Sequence, residues 1–151
     1  MAREYLETSS QATSRAKDLI SRGDYVGAIE AAQHSIELSV KALYLLVGQE
    51  PPKEHYAGQE FLNRVVGRLD FPSYFDHFKA DLCRTMWISK MYEWAHTVSV
   101  YGYKGTSPSK LINKKDAEIA LQYADEVYWT CRRVADAVSR KEIAIRQSIQ
   151  R

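Results

Sequence analysis

The sequence predicts an all-α protein, an up-and-down antiparallel bundle of about five helices in a single domain over residues 1–151. Three observations carry that prediction. Only seven glycines and four prolines punctuate the 151 residues. Apart from Gly27, none falls between Gly23 and Gly48, none between Phe75 and Tyr101, and none after Pro108, which leaves stretches too long and too unbroken for strands. Apolar residues recur in those stretches at spacings of three and four. The composition, 45% hydrophobic and 26% charged, is that of a globular chain, and at this length roughly 68–70% of the unfolded surface can be buried without a metal or disulfide staple.

The first helix is expected from about Ala2 to Arg22, with Leu6, Thr13, Ala16 and Ile20 marking one face and Gly23 as its stop. Asp24 is a fitting N-cap for the second, where Tyr25, Ala28, Ala32, Ile36, Val40, Leu43 and Val47 form an unbroken stripe. Gly48 supplies a left-handed C-terminal residue, and Pro51-Pro52 forbids continuation. A shorter third helix from about Glu54 to Arg68 offers Phe61, Leu62, Val65 and Leu69 to the core.

Asp70 and Pro72 separate it from a fourth helix, expected unbroken from about Ser73 to Tyr101. This helix has two seams. Phe78, Leu82, Thr85, Ser89, Tyr92, His96 and Ser99 form one; Trp87, Met91, Trp94, Val98 and Tyr101 form the other, which is aromatic. A helix that is apolar on two sides touches two layers, so one seam is expected to face the bundle and the other a second copy of the chain. Residues 102–115 read as a polar, mobile loop. Asn113 then caps the fifth helix, with Asp116 three residues on as a variant of the capping box. Its stripe is Ala117, Ala120, Ala124, Val127, Cys131, Val134 and Val138. Beyond about residue 140 the pattern thins, and the end, with Ile143, Ile145 and Ile149, is expected to fray or to dock on a partner.

Met1 to Arg22 is polar throughout and the longest apolar run, Ala42 to Val47, is far short of the ~20 residues a membrane span needs. The expectation is a cytoplasmic protein without a membrane segment. Cys83 and Cys131 have neither CxxC spacing nor a secreted framework, and read as buried, reduced thiols.

Charge is where function begins to show. The net +2 conceals 8 basic against 10 acidic residues up to Phe75, and 13 against 9 after it. Between Gly102 and Lys115 stand Lys104, Lys110, Lys114 and Lys115 with no acid. Beside Tyr101 and Tyr103, these lysines can meet phosphates while the rings stack bases; the plainer reading is a solvated loop. Arg132, Arg133, Arg140, Lys141, Arg146 and Arg151 add positive charge near the end. Among the four histidines, His34 has only Glu37 one turn away, and Glu37 with Lys41 makes an ordinary i,i+4 ion pair. No metal site and no cofactor follow. His55 reads as a helix-start residue and His77 as exposed. His96, between Tyr92 and Ser99, is either a buried, hydrogen-bonded imidazole or an acid/base group at a dimer seam. No phosphate loop, GxSxG, HExxH or GxGxxG motif is present.

Gly23-Asp24-Tyr25, Ala28, Ala31-Ala32-Gln33, Ile36-Glu37, Lys41-Ala42-Leu43 and Gly48, followed by Pro51-Pro52 and His55, resemble the first half of the HEPN family (higher eukaryotes and prokaryotes nucleotide-binding). The later tyrosine-bearing helix, loop and alanine-rich helix fit the family in order and length. The resemblance implies a helical bundle that dimerises, binds nucleotides or RNA, and often pairs with a minimal nucleotidyltransferase in toxin–antitoxin or stress systems. The family's ribonucleases use an Arg followed after four to six residues by His, brought together in a dimer cleft. Here Arg84 lies twelve positions before His96. Lys90, with five residues between it and His96, is the only basic residue at the right spacing, and on a straight helix its side chain would diverge from His96 by about 120°. Lysine also lacks the forked donor set of arginine. The leading expectation is therefore a homodimeric nucleotide- or RNA-binding protein, or one binding a nucleotidyltransferase, without the ribonuclease motif. A ribonuclease built on His96 with Lys90 or Arg84, and a purely structural dimer, are the alternatives.

Overall fold

The computed structural model describes residues 1–53 and 58–147. Helix α1 spans Ala2–Ser21 and α2 spans Tyr25–Leu46. The turn between them is closed by Gly23 at φ 77° and by Asp24, whose backbone N–H donates to the Leu19 carbonyl and whose carboxylate accepts from Gly27 N–H at 2.9 Å. The predicted cap is the one formed. Gly48, at φ 73°, ends α2 in the same left-handed way, with Gln49 N–H reaching the Tyr44 carbonyl at 2.8 Å.

Helix α2 is the centre of the bundle. It packs along α1 and α7 (Lys114–Ser139) and also touches α4 (Asp76–Met91) and α5 (Glu93–Tyr101). Its buried residues therefore run round most of its circumference, adding Ile29, Ala31, Gln33, Ser35, Ser39, Ala42 and Tyr44 to the expected stripe. Where α1 crosses it, the contact is polar: Ser9 Oγ lies 2.9 Å from Ser35 Oγ and 2.6 Å from Ser39 Oγ, and Thr13 Oγ1 lies 2.7 Å from Ser35 Oγ. Small hydroxyl side chains let the two backbones approach while pairing one another's polar atoms.

Three expectations are corrected. The described part of the third helix, α3, is only Gln59–Arg64, continued by a 3-10 turn at Val66–Arg68; the expected start at Glu54, and His55 with it, lie outside the described residues. The fourth helix is two. At Tyr92 (φ −94°, ψ 3°) the i→i+4 ladder gives way to a tighter bond from Ala95 N–H to the Tyr92 carbonyl, and α5 begins at Glu93. Tyr92 itself is buried against Tyr123 of α7. The end beyond Ser139 neither frays nor stands off up to Arg146. Ile143 is fully buried, and a strand β2 (Ala144–Ile145) pairs antiparallel with β1 (Leu69–Asp70), fastened by Arg146 donating to Asp70 at 3.0 Å. Ile149 and Arg151 lie outside the described residues.

The capping box at the start of α7 is complete, with Asp116 N–H on Asn113 Oδ1 at 3.0 Å and Asn113 N–H on Asp116 Oδ2 at 2.9 Å. The predicted α7 stripe is buried from Ala117 to Val134, with Val138 half-buried. Cys131 is fully buried and Cys83 half-buried, both as free thiols. No helix among the described residues is long and apolar enough to cross a membrane.

Candidate nucleic-acid interface

The stretch from Gly102 to Lys115, expected to be a mobile loop, is built structure. Tyr103 and Thr106 exchange two backbone hydrogen bonds, 3.1 and 2.9 Å, around Lys104 (φ 47°) and Gly105 (φ 77°). Two successive positive φ values are the signature of a type I′ turn, which glycine adopts freely and lysine does not. Gly102 (φ 72°) fixes the entry to this turn: a Cβ there would lie 2.1 Å from the Thr106 carbonyl oxygen. A short helix α6, Pro108–Leu111, follows, and Ile112 then drops into the core.

This frame holds Tyr101 and Tyr103 at 79% and 58% exposure. Lys104 Nζ lies 5.4 Å from the centroid of the Tyr103 ring. Lys110, Lys114 and Lys115 are exposed as well, Lys114 within 3.8 Å of Glu118. Aromatic faces and ammonium groups are thereby displayed on one short segment with little conformational freedom left to lose on binding.

The candidate catalytic residues are less favourably set. Arg84 Nε is 2.6 Å from Glu126 Oε1, and that hydrogen bond and charge raise the guanidinium pKa above its ordinary value. Its cation also faces the Tyr123 ring at 5.8 Å. Lys90 Nζ is 3.4 Å from Glu93 Oε2, an oxygen sealed from solvent that takes no hydrogen bond from any described residue. Glu93 escaped the sequence reading, although its spacing of three from both Lys90 and His96 is the available signal. His96 is exposed rather than buried, because the core-facing side of α5 is formed by Ala95 and Ser99. Ser99 Oγ donates to Glu30 Oε1 at 3.1 Å, tying α5 to α2.

The aromatic seam is open. Trp87 is 69% exposed, and Met91 and Trp94 are exposed to 44% and 45%. On α2, Glu37 is engaged by Lys41, as the ordinary ion pair anticipated. His34 lines a groove of about 480 Å³ between α1 and α2, together with Arg15 and Glu30. Among the described residues no three His, Cys, Asp or Glu side chains gather closely enough to hold a metal ion.

The fold and this face define an all-helical bundle of the kind that presents a lysine- and tyrosine-bearing turn beside a long C-terminal helix. A family model described as the HEPN domain matches residues 2–134, and the chain belongs to the HEPN family. Among solved structures it is similar to the crystal structure of TT1696 from Thermus thermophilus, with a TM-score of 0.69 and 22% identity over 87% of this chain and 96% of that one. That likeness concerns the fold. No curated protein matches the sequence.

Proposed function

We propose that this HEPN-family chain is a homodimeric RNA- or nucleotide-binding protein that engages single-stranded RNA through Tyr101, Tyr103, Lys104, Lys110, Lys114 and Lys115. The observation that carries the reading is the preorganised turn at Tyr103–Thr106, which presents exposed Tyr103 and Lys104 between exposed Tyr101 at the end of α5 and the exposed lysines of α6 and the start of α7. Stacking on such rings tolerates any base, and the lysines supply the salt-sensitive part of the affinity. Binding rather than cleavage is favoured because Arg84 is held by Glu126 and Lys90 by Glu93. A ribonuclease centred on exposed His96 is the alternative.

Exposed Trp87 and Met91 on α4 support a second copy of the chain as the partner on that face, since an apolar surface of this kind is seldom left to water. The family resemblance further supports pairing with a minimal nucleotidyltransferase in a toxin–antitoxin or stress system.

Fluorescence anisotropy with a labelled single-stranded RNA tests the reading. Four lysine contacts predict that log affinity falls against log salt with a slope of about −3. Replacing the four lysines by alanine should flatten that slope. Absence of binding at low salt overturns the reading and leaves a structural dimer. Cleavage of the RNA in metal-free buffer that is lost in His96→Ala replaces it with the nuclease.

A further inference from the structure

A slot of about 180 Å³ opens where α5, α6 and α7 meet over α2. Buried Ile29 and Ile112 form its bottom, and half-exposed Trp94 and Ile119 stand at its rim. Tyr92 lines the slot beside Trp94, with ring centroids 6.3 Å apart and planes 22° from parallel. The slot has a single charged wall residue, Asp116. Asp116 Oδ2 accepts from Asn113 N–H in the helix cap, whereas Oδ1 takes no hydrogen bond from any described residue.

These features select a ligand chemistry. A largely apolar slot lined by the Trp94 indole and the Tyr92 ring accepts a flat ring, and a carboxylate that can only accept favours a ring that presents N–H donors. The volume is below the roughly 300 Å³ at which pockets begin to hold a whole drug-sized molecule, so a base enters while its sugar and phosphate remain outside. Lys110 and Lys115 precede the slot residues Leu111 and Asp116 in the chain. Both lysines are exposed and neither is paired with a described residue.

Guanine is the base whose edge offers two neighbouring donors, N1–H and the N2 amino group. Adenine and cytosine place an acceptor beside their amino group, and uracil flanks its one N–H with two carbonyls that a carboxylate repels. We propose that the slot takes one unpaired guanine of a bound RNA, its ring against Trp94 and its donors on Asp116, with Lys110 and Lys115 on the adjoining phosphates. This deepens the RNA-binding reading above and rests on it.

The test compares a labelled oligouridine carrying one central guanosine with the same strand carrying inosine, which lacks the N2 amino group, or uridine alone. The wild-type protein should bind the guanosine strand roughly 10- to 100-fold more tightly than the uridine strand, with inosine between, the scale of losing hydrogen bonds to a charged group. Asp116→Asn keeps an oxygen for the helix cap but points an N–H₂ group at the base, and should abolish the preference while general RNA binding persists. Trp94→Ala should weaken the guanosine strand selectively. Equal affinity for all three strands overturns the guanine slot and leaves RNA binding standing, whereas no affinity for any strand overturns both. If Trp94→Ala disrupts a dimer and leaves RNA affinity unchanged, the slot is part of a subunit interface and the proposal fails.

Discussion

Arg84 Nε of α4 lies 2.6 Å from Glu126 Oε1 of α7, forty-two positions away in the chain. The pair closes one edge of the contact between these helices and takes from the candidate cleft the only arginine that the sequence offered to it. Both side chains face solvent, so the attraction is screened by salt. Arg84→Ala should therefore lower the urea midpoint slightly in dilute buffer and not measurably in 1 M salt, and the exchanged pair Arg84→Glu with Glu126→Arg should restore the dilute-buffer value. RNA affinity should remain within about twofold of wild type. A large loss of RNA affinity in Arg84→Ala would return this residue to the binding site.

Much of the bundle was legible because its signals are local. Asp24, Asn113 and Asp116 cap where their side chains can only reach their own turn, and glycines with positive φ end α1 and α2. The break at Tyr92 was not legible, since no glycine or proline stands there and Tyr92 is buried against Tyr123, thirty-one positions along the chain. The pairing of β1 with β2 joins residues some seventy-five positions apart and leaves no periodic trace in two-residue strands. At the candidate site, the lysines and tyrosines were visible as composition. That they sit on a rigid turn was not, because Lys104 is an improbable left-handed residue. Asp116 read only as a cap; that it also lines one slot with Trp94 and Ile119 follows from the tertiary fold.

Gly102 is the residue on which the turn depends. A side chain there would meet the Thr106 carbonyl at 2.1 Å, and its φ of 72° is unfavourable to any L-residue. Gly102→Ala should cost more than about 1 kcal/mol of stability in urea unfolding. Because the damage is local, amide exchange should quicken at Tyr103 and Thr106 before it does in α2. RNA affinity should fall with it, although no lysine or tyrosine has been removed.

Stability should decline at alkaline pH through two buried groups. Burial drives the Cys131 thiol pKa upward from 9.0, and burial, with the nearby Tyr123 and Asp116, pushes the Tyr92 phenol from 10.0 up to about 12. Each folded pKa exceeds its unfolded value, so the unfolded chain releases protons first. The stability these groups contribute is fully present below pH 9 and is lost progressively above it, first through Cys131 and from pH 10 also through Tyr92. The Cys131 slope approaches about 1.4 kcal/mol per pH unit once the unfolded thiol is ionised. Urea midpoints measured at pH 8 and pH 10 should converge in Cys131→Ala relative to wild type. A slope unchanged by that substitution would place the alkaline sensitivity elsewhere.

The hydroxyl cluster between α1 and α2 predicts strong non-additivity. Ser9, Ser35 and Ser39 are fully buried, and Ser9 Oγ stands between the other two while also lying 2.8 Å from the Ser35 carbonyl. Removing Ser9 alone strands the Ser39 hydroxyl where water cannot reach it and leaves Ser35 only Thr13, whereas removing the cluster together leaves no orphan. Ser9→Ala should cost roughly 1–3 kcal/mol. The triple variant with Ser9, Ser35 and Ser39 all changed to Ala should be no less stable than the single one, because alanine keeps the close helix approach and the remaining Thr13 hydroxyl also bonds the Ser9 carbonyl at 3.2 Å. Urea unfolding of the single and triple variants measures this directly. Costs that simply add from one serine to the next would show that the hydroxyls act independently and that close packing alone holds α1 to α2.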